Sequence, residues 1–342
     1  MYLQSIAHAV PPQSFTQTEC WDALLNSITF QQLKPRSRTI LEKVLLGENG
    51  IGKRHFATDQ IESLFSLGAA ALNSKFEAEA PNLAAAALGK ALAQAGRSPD
   101  ELDALFICTC SGYLCPGITS YVAEKMRLSR HTYLQDIVGL GCGAAIPTLR
   151  SAQGFLAAQP EATVACIAVE ICSAAFYLDD DPGVLISASL FGDAASASIW
   201  SGQAGDDQFR ISQFDTIHLP ESREALRFTN RGGKLRNQLH RCVPDVAASA
   251  VRELHQRAQL PAGTPIAAHV GGRDVLLTLE ATLGGPRLDA SWKALADYGN
   301  TSSPSVLIAT EAMLEQHPAM DRLWLTSFGA GFAAHACQLS RQ

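Results

Sequence analysis

The feature that most constrains the fold is an alternation of short apolar runs with amphipathic stretches, laid down twice along the chain. Ala104 to Cys110 and Thr163 to Val169 are runs of strand length with almost no polar side chain, which predicts buried strands. Residues 82–96, ending at Gly96, and a stretch from about Cys142 to Ala157 carry apolar residues every three or four positions and read as helices. Ile146, Leu149, Ala152, Phe155 and Leu156 form the apolar face of the second, and Gln159-Pro160 stops it. The second half repeats the plan, with helices over Pro244 to Gln259 and Ser302 to Leu314 and strands over Ile266 to His269 and Leu323 to Ser327. Cys142 precedes Thr163 by 21 residues, and Asn300 precedes Arg322 by 22. Such spacing predicts a layered α/β protein of two pseudo-symmetric halves, 1–203 and 204–342, joined near the polar segment Ser201 to Asp207. Cys142 and Asn300 then occupy equivalent helix starts, and His269 follows a strand equivalent to the one ending near Cys110.

Composition narrows the function classes. With 342 residues, 47% of them hydrophobic and 18% charged, the chain can bury a large core and is not disordered. A net charge of -6 and no basic stripe argue against nucleic acid, because neutralising phosphates requires an excess of Lys and Arg. Nine irregularly spaced cysteines and an amino terminus without a basic-then-apolar pattern predict a soluble protein of the reducing cytoplasm. No metal is expected: Cys108, Cys110 and Cys115 lack a second ligand pair at zinc spacing, and Asp179-Asp180-Asp181 before Pro182-Gly183 reads as a solvated turn. The basic segment from Arg231 to Arg241 reads as a solvated strand edge.

One cysteine stands apart. Cys142 sits in Gly139-Leu140-Gly141-Cys142-Gly143-Ala144-Ala145, where small neighbours leave the sulfur approachable and the free N–H groups of a helix's first turn favour a thiolate. Cys108, Cys166, Cys172 and Cys337 lack such a setting and read as inert core. A Cys, a His and an Asn can run acyl transfer from a thioester: the thiolate attacks the carbonyl, the imidazole stabilises it, and the amide donates to a developing oxyanion. Papain-like proteases use the same residue types, so the set alone is ambiguous. Asn300 also reads as a helix-cap residue, His269 as a core histidine, and Glu170 as a structural residue beside the site.

The local sequences break that tie. Leu140-Gly141-Cys142-Gly143-Ala144-Ala145, Ala268-His269-Val270-Gly271-Gly272, Tyr298-Gly299-Asn300-Thr301-Ser302-Ser303 and Ser327-Phe328-Gly329-Ala330-Gly331 resemble, in order and spacing, the motifs of type III polyketide synthases. These form the chalcone-synthase-like branch of the thiolase superfamily. Leu190-Phe191-Gly192-Asp193-Ala194-Ala195 matches a further motif, and the likeness runs over nearly the whole chain. The resemblance implies a five-layered αβαβα thiolase fold, a homodimer, and an acyltransferase that condenses malonyl thioester with an acyl starter by decarboxylative Claisen chemistry. It implies that Cys142 holds the acyl chain, that His269 and Asn300 stabilise the enolate, and that acyl-CoA and malonyl-CoA are substrates, with no cofactor. Phe191 matches a gate aromatic, and Cys110, Cys115, Ala175 and Gly329 fall at substrate-binding positions.

Departures from the pattern bear on specificity. Leu41, Val44 and Glu48 stand where plant relatives place basic residues for the phosphates of coenzyme A; Lys34, Arg36, Arg38 and Lys43 lie nearby, and a carrier protein is the other donor. Cys110 and Ala175 replace threonines, Cys115 a methionine, Ala330 the loop proline, and Asn237 stands at a second gate. Two rivals remain: a ketoacyl synthase III-like enzyme making one condensation or acyl transfer, whose histidine segment usually reads His-Gln-x-Asn, and a non-catalytic acyl-binding partner subunit.

Overall fold

The structure, a computed structural model, describes residues 1–205, 207–285 and 287–342. Asp206, inside the segment expected to join the halves, lies outside the described residues. In chain order the strands are β1 (Tyr2–Ala9), β2 (Ser14–Thr16), β3 (Lys53–His55), β4 (Ala104–Thr109), β5 (Tyr133–Val138), β6 (Thr163–Glu170) and β7 (Ala194–Ser201). After these come β8 (Phe209–His218), β9 (Leu226–Arg231), β10 (Lys234–Leu239), β11 (Ile266–Ala268), β12 (Arg322–Gly329) and β13 (Ala333–Arg341). Nine form one sheet in the order β11-β12-β13-β8-β1-β7-β6-β4-β5, while β2 pairs with β3 and β9 with β10.

Outward from the centre, β1-β7-β6-β4 runs antiparallel, antiparallel, parallel. The series β8-β13-β12-β11 does the same. Between β1 and β8 the ladder is short, with Tyr2 opposite Arg210 and the Ile211 N–H donating to the Met1 carbonyl, so the sheet reads as two wings. The first wing carries one more strand, β5, at its edge.

Side-chain alternation explains the layering. Ala104, Phe106 and Cys108 of β4 and Val164, Cys166 and Ala168 of β6 face a cluster that also takes Leu323, Leu325, Cys337 and Leu339 from the other wing. Their alternates Leu105, Ile107, Ala165, Ile167 and Val169 face the outer helix Ala69–Ala95 instead. Both faces of each strand are therefore apolar, which is why these segments read as continuous runs. The helices Ala145–Ala158 and Ser305–Gln316 lie between the wings and touch strands of both. The helices Val243–Ala258 and Arg273–Thr282 cover the outside of the second wing. The result is the five-layered αβαβα arrangement.

Two boundaries differ from the sequence reading. The helix expected over 82–96 begins at Ala69 and passes through Pro81, because Leu72, Phe76, Ala80, Ala84, Ala87, Leu88 and Ala91 make one buried stripe across it. That burial offsets the roughly 3 kcal/mol that a proline costs inside a helix. Cys142 is in a tight turn, Gly141–Gly143, and the helix proper begins at Ala145, with Pro147 in its first turn where a missing N–H costs nothing.

Candidate active site

Cys142 lies 6% exposed where the ends of both wings meet the cap formed by the helices Gln17–Leu25, Ile28–Gln32 and Pro35–Leu46. Its glycine neighbours serve a different purpose from the one expected. A Cβ on Gly141 would come 2.8 Å from the Ala330 nitrogen, and one on Gly143 would come 3.1 Å from the Phe328 carbonyl carbon. Small residues here let the end of β12 pack against the turn. Gly329 works from the other side: a Cβ there would meet the nitrogens of Gly143 and Cys142 at 2.6 and 2.9 Å. Gly329 thus touches the backbone of the nucleophile turn.

The Cys142 thiol is held well below the ordinary thiol range. The Cys110 thiol, which hydrogen-bonds to it, contributes most; a hydrogen bond and charge from His269 and a hydrogen bond from Ser302 add to this, against the cost of burial. Ser302 Oγ lies 3.2 Å from the Cys142 Sγ and 3.2 Å from the Cys110 Sγ. The Cys110 thiol is pushed up by that same partnership, with burial and the nearby Glu170 charge adding to it, so the thiolate resides on Cys142.

His269 follows β11 directly, its N–H bonded to the Thr326 carbonyl at 2.8 Å and its ring edge-on to Phe328. Its Nδ1 lies 2.7 Å from Ser305 Oγ, and Ser305 donates its own hydrogen to the Ser302 carbonyl at 2.8 Å. Ser305 can therefore only accept, so Nδ1 carries a proton and Nε2 is left for the thiol. The Asn300 amide is aimed by two bonds: Nδ2 donates to Gly271 O at 3.2 Å, and Oδ1 accepts from the Ser302 nitrogen at 2.8 Å. One amide hydrogen remains. The Asn300 backbone pairs with Leu190 and Gly192, bridging the seam beside Phe191.

Glu170, read as structural, ties the wings together. Fully buried, its Oε2 accepts from the Cys110 and Ser111 nitrogens and from the Thr109 and Ser111 hydroxyls, while Oε1 accepts from Ser303 and lies 3.3 Å from the Ser302 oxygen. Burial pushes its carboxyl up against these hydrogen bonds, of which that from Ser303 comes first. Ser302 and Ser305 were missed as site residues, because a hydroxyl run before an apolar stretch is indistinguishable from a helix cap.

Past Cys110 and Ser302, which hydrogen-bond to Cys142, a cavity of about 30 Å³ is lined by Cys110, Ala175 and Phe191, with Phe176, Phe228 and Asn237 among the others. Cys115 is exposed and lies outside it: Gly112 packs on the Phe76 ring of the outer helix, and the chain beyond Ser111 leads away to the surface. Of the positions read for coenzyme A, Leu41 is fully buried, Lys34 pairs with Asp180, and Arg38 donates to the Leu33 carbonyl; Arg36 and Lys43 are exposed. The Asp179–Asp181 segment is more than a solvated turn. Asp181 caps the helix Pro182–Leu190 and pairs with Arg236, and Asp180 accepts from Lys34 N and Ser37 Oγ.

A depressed thiol beside an imidazole, an aimed amide and an apolar cavity at the seam of a duplicated αβαβα fold define a condensing enzyme of the thiolase type. Residues 2–204 match the family model for chalcone and stilbene synthases, N-terminal domain. The chain is 27% identical over 329 residues to 3,5-dihydroxyphenylacetyl-CoA synthase of Streptomyces toyocaensis, covering 91% of this chain and 82% of that one. It is 27% identical over 300 residues to 1,3,6,8-tetrahydroxynaphthalene synthase of Streptomyces griseus, covering 85% and 80%. The crystal structure of 1,3,6,8-tetrahydroxynaphthalene synthase from Streptomyces coelicolor superposes with a TM-score of 0.88 at 24% identity, covering 100% of this chain and 99% of that one. This chain belongs to the chalcone and stilbene synthase family. It is a type III polyketide synthase, an acyltransferase that joins a malonyl thioester to an acyl starter by decarboxylative Claisen condensation.

Proposed function

We propose that Cys142, His269 and Asn300 carry this condensation. The observation behind the assignment is the Cys142 thiol itself, depressed by Cys110, His269 and Ser302, two of which, Cys110 and Ser302, line the cavity that holds Phe191. The thiolate attacks the starter thioester and becomes acylated, expelling CoA as a thiolate that takes its proton from water, so that His269 keeps its Nε2–H. Malonyl-CoA then loses CO₂. The enolate oxygen left behind accepts from His269 Nε2–H and from the free Asn300 amide hydrogen, donors placed where charge develops. Its carbon attacks the Cys142 thioester, forming one C–C bond and releasing the thiolate, and the lengthened acyl-CoA reloads Cys142 for another round. Gly329 shapes the turn that presents the sulfur, and Cys110, Ala175 and Phe191 bound the space the chain fills.

Acyl-CoA and malonyl-CoA are proposed as the substrates, with no metal or redox cofactor, since decarboxylation drives the bond formation. The nine free cysteines support a reducing compartment such as the cytoplasm. No helix among the described residues is long and apolar enough to cross a membrane. The exposed Tyr133, Leu134 and Val138 on edge strand β5 support a homodimer.

Intact-protein mass spectrometry after exposure to acyl-CoA tests the assignment. Wild type gains one acyl adduct and Cys142→Ala gains none. His269→Gln and Asn300→Ala keep measurable loading but release CO₂ from malonyl-CoA about 10²-fold more slowly, the usual cost of losing an oxyanion donor. Unchanged CO₂ release in both variants refutes their roles.

A further inference from the structure

The wall of the cavity beside Cys142 holds a buried polar atom for which the condensation has no use. Asn237 lies on β10, opposite Phe228 of β9, and both line the cavity. The side chain is 3% exposed. Its Nδ2 donates to Ser187 Oγ at 2.6 Å, and Ser187 donates its own hydrogen to the Gly183 carbonyl at 2.7 Å. Ser187 can therefore only accept from Asn237, and this orients the amide. The opposite atom, Oδ1, has no donor among the described residues and is closed to solvent.

A buried acceptor left without a donor costs about 1–3 kcal/mol, and leucine would fill a similar volume without that cost. The serine hydroxyls lining the cavity are already committed. Ser111 bonds Glu170, Ser302 bonds Cys142, and Ser187 bonds Gly183. We propose that Asn237 Oδ1 is a substrate subsite that accepts a hydrogen bond from an enolic or phenolic O–H of the chain extended in this cavity.

The chemistry of the intermediate supplies such a donor. This inference rests on the condensation proposed above, which generates β-keto thioesters. Their ketone oxygens only accept hydrogen bonds and leave Asn237 Oδ1 unsatisfied. When a proton moves from the carbon between two carbonyls to one of the oxygens, the enol O–H can donate to it. A ring that closes and aromatises presents the same group as a phenol. Asn237 therefore selects the enolised or aromatised form over the open ketone, because a site built around an unpaired polar group discriminates against ligands that cannot pair it.

Resorcinol and 1,3-dimethoxybenzene share a ring and differ in O–H donors, so they probe the subsite directly by isothermal titration. Wild type is expected to prefer resorcinol about tenfold, and Asn237→Leu to lose that preference, with circular dichroism checking that the variant is folded. Ser187→Ala, which frees the amide to rotate, weakens the preference and serves if Asn237→Leu does not fold. A preference retained in these variants, or absent in wild type, overturns the subsite. Failure of wild type to load acyl-CoA on Cys142 instead counts against the condensation.

Discussion

At the scale of single residues, the site depends on how donors around one sulfur are shared. Cys110 and Ser302 both serve Cys142, and the Cys110 thiol is raised by the same contact that lowers Cys142. Replacing Cys110 with alanine removes the largest stabilising contact, so the Cys142 pKa rises and less thiolate is present at neutral pH. Iodoacetamide alkylation of Cys142→Ala-sensitive thiol should then slow at pH 7, by up to tenfold for each unit the midpoint moves. The pH–rate profile of alkylation, with midpoints read for wild type, Cys110→Ala and Ser302→Ala, checks this. Both midpoints are expected to lie above wild type. The nucleophile, histidine and asparagine were legible in the sequence because glycine-rich motifs surround them. Ser302 and Ser305 were not, since their importance comes from partners on other segments.

At the scale of elements, the ends of β12 and β13 form the wall behind the nucleophile. Gly329→Ala would drive a Cβ into the backbone of Leu140, Cys142 and Gly143, with no flexible side chain to give way. The expected outcome is a destabilisation of roughly 1–3 kcal/mol, the range for overpacking, and loss of Cys142 acylation, read by urea unfolding and by mass. On β13, His335 packs beside Gly143 and bonds Thr216, while burial, then Arg150 and His218, hold its imidazole at about 4. As pH falls, the unfolded imidazole takes up its proton near 6.5 while the folded one does not. Stability therefore declines from about pH 6.5 to about 4 and levels off below, a loss of about 3 kcal/mol from this group. The urea midpoint measured across that window should slope in wild type and flatten in His335→Gln. Strand and helix positions were legible because apolar period and length mark them. The extension of the outer helix through Pro81 was not, because its burial against β1, β6 and β7 outweighs a local breaker.

At the scale of the whole molecule, two similar wings place their catalytic turns at one seam. Edge strand β5 leaves an open row of backbone groups with Tyr133, Leu134 and Val138 exposed. Sedimentation equilibrium is expected to give twice the chain mass, and Leu134→Lys to shift it toward the monomer; a wild-type monomer contradicts the proposed dimer. Sequence by itself determined the layered fold and pointed to the three side chains proposed to react, since periodicity, spacing and motif are local or one-dimensional signals. Tertiary structure alone decided which hydroxyls and thiols surround the sulfur, that Cys115 lies outside the cavity, and that Asn237 carries an acceptor with no donor among the described residues. Hydrogen-bond satisfaction and burial are properties of neighbours brought together from distant segments, and the linear order of residues does not encode those distances.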